Sequence, residues 1–197
     1  MTKTLKRQQV KSSFFFTGNF YRNPSFRGLI RDLRRDGHYL GAHSDKHLLY
    51  CDWSVRDSLL VTRTQFLDDL RANYSEMEKF GIRKSDAPYF LPPFEWYNDT
   101  ISAWTRQEGL QLINFSPGTI SHADYTTPDL RNYRSSETIY QSITAYEKQN
   151  GMNGFILLVH IGTAPARTDK FYSRLEELIV YLKKEGYSFS RVDGLLE

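Results

Sequence analysis

The chain alternates between short apolar runs and longer segments whose apolar positions repeat at helical spacing. Ser12–Thr17, with Phe14-Phe15-Phe16 at its centre, reads as a strand closed by Gly18-Asn19. Pro24-Ser25 opens a helix that carries Phe26, Leu29, Ile30 and Leu33 on one face, and Asp36-Gly37 stops it. His38–Ala42 is a second short strand. Ser54 is placed to cap a long helix over 55–80, whose stripe runs through Leu59, Leu60, Phe66, Leu67, Leu70, Tyr74, Met77 and Phe80. Pro88–Leu91 is a strand broken by Pro92-Pro93, Tyr97–Glu108 a helix, and Leu110–Phe115 a strand. After an irregular segment from Ser116 to Arg134, Ser135 or Ser136 caps a helix to Gln149. Phe155–His160 is a strongly apolar strand, a last helix starts at Asp169 or Lys170, and Tyr187–Val192 is the final strand. Strands joined by helices predict an α/β fold with a mainly parallel sheet. The Gly-rich turns of nucleotide-binding sheets are missing from the sequence, which favours a small or incomplete β/α barrel.

Composition narrows the picture. The 197 residues suit one domain, 1–197, and 29 aromatic residues can fill a sizeable core. No stretch approaches the length of a membrane span, so none is expected. A net charge of +3, scattered and mixed, argues against nucleic acid as a partner. Cys51 is a lone cysteine, which excludes a disulfide framework. Residues 1–11 are polar and basic and are expected to be disordered or the remnant of a strand. The Phe14-Phe15-Phe16 run is far shorter than the apolar region of a signal peptide.

Four polar spots follow strand ends, where β/α folds build their sites. His43 and His47, four residues apart, can converge on one metal ion if the segment turns like a helix, or they are two surface histidines in a polar loop. Pro92-Pro93 makes a rigid bend beside the rings of Phe94 and Trp96, or simply joins a strand to a helix. His160 closes an apolar run, as a core histidine or a catalytic one. Asn114–Tyr125, with Ser116, Thr119, His122 and Asp124, has the composition of a binding loop.

Together these segments resemble the polysaccharide deacetylase family, the NodB-like carbohydrate esterases of family 4. Phe14-Phe15-Phe16-Thr17-Gly18 is similar to the family's Thr-Phe-Phe-x-x-Gly phrase. Gly37-His38-Tyr39-Leu40-Gly41-Ala42-His43-Ser44-Asp45-Lys46-His47 resembles its Gly-His-Glu-Ile-Gly-x-His-Ser/Thr-x-x-His segment. Pro92-Pro93-Phe94 resembles Arg-Pro-Pro-Tyr, Leu158-Val159-His160 resembles Leu-x-His, and Lys184–Phe189 resembles the closing phrase.

The resemblance implies a distorted, incomplete (β/α) barrel of the NodB type, here with its first strand missing. It implies a metal-dependent hydrolase that removes acetyl groups, N-acetyl in the first place, from a carbohydrate substrate. One divalent metal, zinc, would be held by His43 and His47. His160 would act as general acid, the main chain at Phe94 would face the oxyanion, and Pro93, Phe94 and Trp96 would bind substrate. The family's Thr-Phe-Asp-Asp-Gly motif has no counterpart before Ser12, and Leu91 stands in the place of its arginine. Thr119 or a neighbour occupies the region of a further acidic residue, which leaves the support of His160 unidentified. Two other activities compatible with these residues are O-deacetylation of an acetylxylan-type polymer and non-catalytic carbohydrate binding on a degenerate deacetylase fold. The 197-residue chain, with no aspartate pair, is expected to turn over weakly or not at all.

Overall fold

The structure is a computed structural model that describes residues 1–196. In chain order its elements are α1 (Thr2–Arg7), β1 (Ser13–Phe16), α2 (Gly18–Arg22), α3 (Arg27–Arg35), β2 (Tyr39–Ala42), α4 (Arg63–Glu78), β3 (Tyr89–Phe90), α5 (Asp99–Gln107), β4 (Gln111–Leu112), α6 (Ser136–Asn150), α7 (Leu175–Lys184) and α8 (Val192–Leu195). They divide between two compact units. One comprises Met1–Val10 with Phe115–Ser190, and the other Lys11–Asn114 with the segment from Arg191 onward.

The unit around Lys11–Asn114 holds the sheet. Its four strands lie in the order β1-β2-β3-β4 and every pairing is parallel. Ser13 pairs with Tyr39 and Phe16 with Ala42; Ala42 pairs with Phe90, and Phe90 with Leu112. Parallel pairing requires a crossover between each pair of strands, and α3, α4 and α5 supply these. All four residues of β2 are buried, as expected of a strand covered on both faces. At Gly41 a Cβ would come within 2.4 Å of the Phe15 ring, so glycine lets that ring close over β2. Ile30 and Leu33 of α3, Phe66, Leu70 and Met77 of α4, and Ile101 of α5 complete the core. No helix among the described residues is long and apolar enough to cross a membrane.

The expected helix over 55–80 begins eight residues later, at Arg63. Thr62 and Gln65 form a reciprocal capping box there, with Oγ1 of Thr62 accepting the Gln65 N–H and the Gln65 side chain accepting the Thr62 N–H. Ser54 lies instead in a turn made by Asp52, whose carboxylate accepts the N–H groups of Ser54 and Val55, both at 2.8 Å.

The other unit is held by α6 and α7, whose Ile139, Ile143, Leu178 and Leu182 pack with Met152 and Phe171. Ser135 caps α6, and Gly151 ends it at φ +70°. Residues 1–11 depart from the expected disorder or strand remnant. Leu5 and Val10 are buried, and Arg7 pairs with Glu176 of α7. Phe155–His160 was expected as a strand and is not one. Its residues are half-buried, and side chains engage its main chain: Ser116 Oγ accepts the Ile156 N–H at 2.9 Å and Asp124 accepts that of His160 at 2.9 Å. Tyr187–Val192 likewise makes no strand; the Val192 N–H donates to Ser13 Oγ and opens α8. The last long helix starts at Leu175, after a 3-10 turn over Phe171–Ser173.

Candidate functional site

β2 delivers His43 and then stops in a tight loop. The His43 N–H donates to Asn73 Oδ1 at 2.8 Å, and Asn73 Nδ2 donates to the Phe16 carbonyl at 3.3 Å. One helical turn earlier on α4, Asp69 gathers the next three residues. It accepts Ser44 Oγ–H at 2.5 Å, the Asp45 N–H at 2.9 Å and the Lys46 N–H at 3.0 Å. Ser44 Oγ in turn accepts the N–H of His47 at 3.0 Å. Asp69 and Asn73 are both buried, four residues apart on the inward face of α4. The His43–His47 loop is thus fastened to a helix by side chains that the apolar stripe of that helix obscures in sequence.

The loop does not turn like a helix. Ser44 and His47 adopt left-handed backbone, at φ +68° and +59°. The rings still meet, with centroids 5.0 Å apart. His43 Nδ1 lies 2.8 Å from the Leu91 carbonyl. A carbonyl only accepts, so Nδ1 carries the proton and the neutral ring has its lone pair at Nε2.

Two further residues of left-handed backbone, Phe94 and Glu95 at φ +60° and +53°, follow Pro92-Pro93. The Phe94 ring lies 4.4 Å from that of His47. Four non-glycine residues in this conformation, in two touching loops, mark a place where backbone strain is maintained by its surroundings. Pro93 is buried beneath the bend, Phe94 is exposed, and Trp96 Nε1 donates to the Asp52 carbonyl at 3.1 Å.

The other unit carries His160. Its ring Nδ1 donates to Asp124 Oδ1 at 2.6 Å, and its main-chain N–H donates to Oδ2 of the same buried carboxylate. Asp124 sits in a 3-10 turn over Ser121–Tyr125. It therefore supplies the support of His160 that the sequence had left in the region of Thr119. Thr119 is buried and bonds Ser121 instead. Tyr125 meets the His160 ring edge to face at 5.2 Å. His122 stacks on Phe115 at 4.7 Å; burial first, and the His160 charge second, hold its imidazolium below the usual histidine range. Two surroundings thus hold two imidazoles by the same ring atom. A carbonyl holds one and a carboxylate the other.

The Polysaccharide deacetylase family profile matches residues 1–113. The chain belongs to this family. It is 26% identical over 192 residues to the peptidoglycan-N-acetylmuramic acid deacetylase PdaA of Bacillus subtilis, covering 98% of this chain and 63% of that protein. The chain thus spans less than two thirds of that relative's length. Among solved structures, a family 4 acetyl xylan esterase from Clostridium thermocellum in complex with a cobalt ion matches with a TM-score of 0.73 and 20% identity. The match covers 98% of this chain and 80% of that one. A CE4 family pseudoenzyme from Bacillus anthracis matches with a TM-score of 0.68 and 17% identity, covering 99% of this chain and 58% of that one. These likenesses establish the deacetylase α/β fold, with an open parallel sheet in place of a closed barrel.

Whether this polysaccharide deacetylase chain suits a metal ion can be tested on its donors. The His43/His47 pair fits the nitrogen part of such a site, and the Leu91 carbonyl orients one ring as ligand histidines usually are oriented. The acidic residues that fold with the loop, Asp45 and Asp69, are engaged elsewhere. Asp45 is clamped by Arg22 at 2.6 and 2.9 Å, and Gly18 lies so close that a Cβ there would fall 1.8 Å from Asp45 Oδ1. Asp69 is committed to the loop. Among the described residues no group of three or more His, Cys, Asp or Glu is gathered for a metal.

Proposed function

We propose that the chain is a carbohydrate deacetylase domain that acts on N-acetyl groups, with His160 as general acid. The observation that carries this reading is the double engagement of His160 by Asp124, through ring and main chain together. A carboxylate on Nδ1 fixes the tautomer and stabilises the imidazolium when it forms, which leaves Nε2 to deliver a proton. As the amide C–N bond of the tetrahedral intermediate breaks, that proton goes to the departing sugar nitrogen. The Phe94 main chain, held in its left-handed turn by Pro92-Pro93, would present its N–H to the developing oxyanion. Pro93, Phe94 and Trp96 would form the wall against which the sugar lies. His43 and His47 would hold one divalent ion, zinc in the first instance. When bound, it would supply Lewis-acid polarisation of the acetyl carbonyl. Family membership and the identity to PdaA, named for an N-acetyl sugar, favour N-acetyl over O-acetyl substrates.

A second reading is non-catalytic carbohydrate binding. It is favoured by the engagement of Asp45 by Arg22 and of Asp69 by the loop, and among the described residues no group of three or more His, Cys, Asp or Glu is gathered for a metal. Acetate release from N-acetylated glycan oligomers separates the two readings. The deacetylase reading expects release that His160→Ala reduces by about 10²- to 10⁴-fold with zinc content unchanged. Release that is indifferent to His160→Ala would overturn the assignment. No release above the uncatalysed rate, together with retained glycan binding, is the outcome the second reading expects of this 197-residue chain.

A further inference from the structure

The segment between the histidine loop and α4 was expected to be helical and is instead a built excursion. The Asp52 N–H donates to the Ser58 carbonyl and the Leu60 N–H to the Tyr50 carbonyl, both at 2.9 Å, and Cys51 bridges Leu59 in antiparallel fashion. Its tip is capped by Asp52. It presents large apolar side chains to solvent: Trp53 is 56% exposed, Val55 61% and Leu60 50%. Exposed apolar residues on so well-bonded a loop ask for a ligand.

Trp53 is also held in place. Its indole leans on Trp96 at 5.7 Å with the planes 31° apart, and it meets the Phe94 ring at 5.5 Å. Trp96 is fixed by its bond to the Asp52 carbonyl and by the Arg56 guanidinium, 4.3 Å above the ring. Arg56 is itself fixed by donation to the Tyr97 carbonyl at 2.6 Å. An unbroken line of rings therefore runs from His43 through His47 and Phe94 to Trp53 and Trp96.

We infer that Trp53 is a glycan-binding residue, the far end of an aromatic platform that takes a sugar ring of a polymeric substrate beyond the residue at the histidine loop. The inference rests on the carbohydrate reading above and deepens it. Aromatic faces offer the flat apolar surface that the C–H faces of a pyranose cover, and a preordered indole loses little freedom when it does so. Continuity with the His47–Phe94 contact favours an extended glycan over an unrelated partner. Such a platform discriminates by length: short sugars do not reach it and long ones do.

The test is calorimetric binding of an N-acetylated chito-hexasaccharide and of the monosaccharide to the full chain, with Trp53→Ala and Trp53→Phe as variants. Trp53→Ala is expected to weaken hexasaccharide binding about tenfold, to leave the monosaccharide unchanged, and to keep the wild-type melting temperature. Trp53→Phe should recover most of the loss. Equal hexasaccharide binding by wild type and Trp53→Ala would overturn the platform and leave the deacetylase reading standing. Wild type that binds no glycan would overturn the platform together with the carbohydrate reading, and self-association that depends on Trp53 while glycan binding does not would overturn the platform alone. Trp53-dependent binding with acetate release indifferent to His160→Ala would sink the deacetylase assignment and leave the platform.

Discussion

His43 and His160 are held by the same ring atom, Nδ1, at nearly the same distance, 2.8 and 2.6 Å, and by different chemistry. The partner of His43 is a main-chain carbonyl, neutral under all conditions. That of His160 is a buried carboxylate that also grips the main chain. A carbonyl fixes a ring without favouring its charged form, which suits an imidazole that must offer a lone pair. A carboxylate compensates positive charge, which suits an imidazole that must take and give a proton. On the proposed reading His43 is a ligand and His160 an acid, and each partner is compatible with its role.

The largest expected effect comes from removing that difference. Asp124→Asn keeps the shape and deletes the charge. It should lower acetate release by about 10²- to 10⁴-fold and leave zinc content untouched. A readout independent of turnover is the His160 tautomer, followed by nitrogen NMR. The fraction protonated at Nδ1 should drop, because an amide can donate to that atom where a carboxylate cannot. An unaltered tautomer would remove the basis for the comparison.

No side-chain substitution can delete the Leu91 carbonyl, so the His43 setting must be attacked through its fastening. Asp69→Ala strips acceptors from the Ser44 hydroxyl and from the N–H groups of Asp45 and Lys46. Buried donors left unpaired are costly, and a loss of about 3 kcal/mol in urea unfolding is expected. Zinc content should fall in this variant and not in Asp124→Asn. Wild-type zinc content in Asp69→Ala would show that the pair is ordered without α4.

The two settings were unequally legible in the sequence. Both histidine segments, the Pro92-Pro93-Phe94 bend and Trp96 stand out because they interrupt apolar runs with residues of restricted chemistry. Their supports do not. Asp69 and Asn73 sit inside a helical apolar stripe, where periodicity treats a polar residue as noise although it is the loop's anchor. Asp124 lies in an irregular segment with no period at all, and only the fold brings it to His160. Trp53 was masked by a helix expected to begin at Val55; the real start is governed by the Thr62–Gln65 capping box, which the longer stripe concealed. The four strands of the sheet were expected, yet β2 and β3 pair at one residue and β3 and β4 over two, because pairing length depends on neighbours and not on local apolarity. Conversely, Ile156–Val159 has a strand's composition without a ladder: Ser116 and Asp124 take the N–H groups of Ile156 and His160.

A third histidine gives the mildest and most general form of the same contrast. His38 is buried, and its Nδ1 accepts the Ser12 N–H at 3.1 Å, a bond that needs the neutral lone pair. Burial first, and the Lys11 charge second, push its imidazolium down, further than the Asp36 charge restores it. The unfolded chain therefore binds a proton near the ordinary value of 6.5 that the folded chain refuses. Stability from this group is fully present above that value and is lost as pH falls through it, because the unfolded state then holds more protons. The urea midpoint should accordingly decline from neutral pH toward acid, and His38→Gln, which keeps an acceptor and cannot titrate, should flatten the decline without abolishing it. His122 in the other unit, lowered by burial and by the His160 charge, supplies a slope of the same sign. An identical slope in wild type and His38→Gln would mean that the Ser12 bond does not enforce neutrality. The rule that the partner of Nδ1 sets the charge of the ring would then hold only where that partner is a carboxylate.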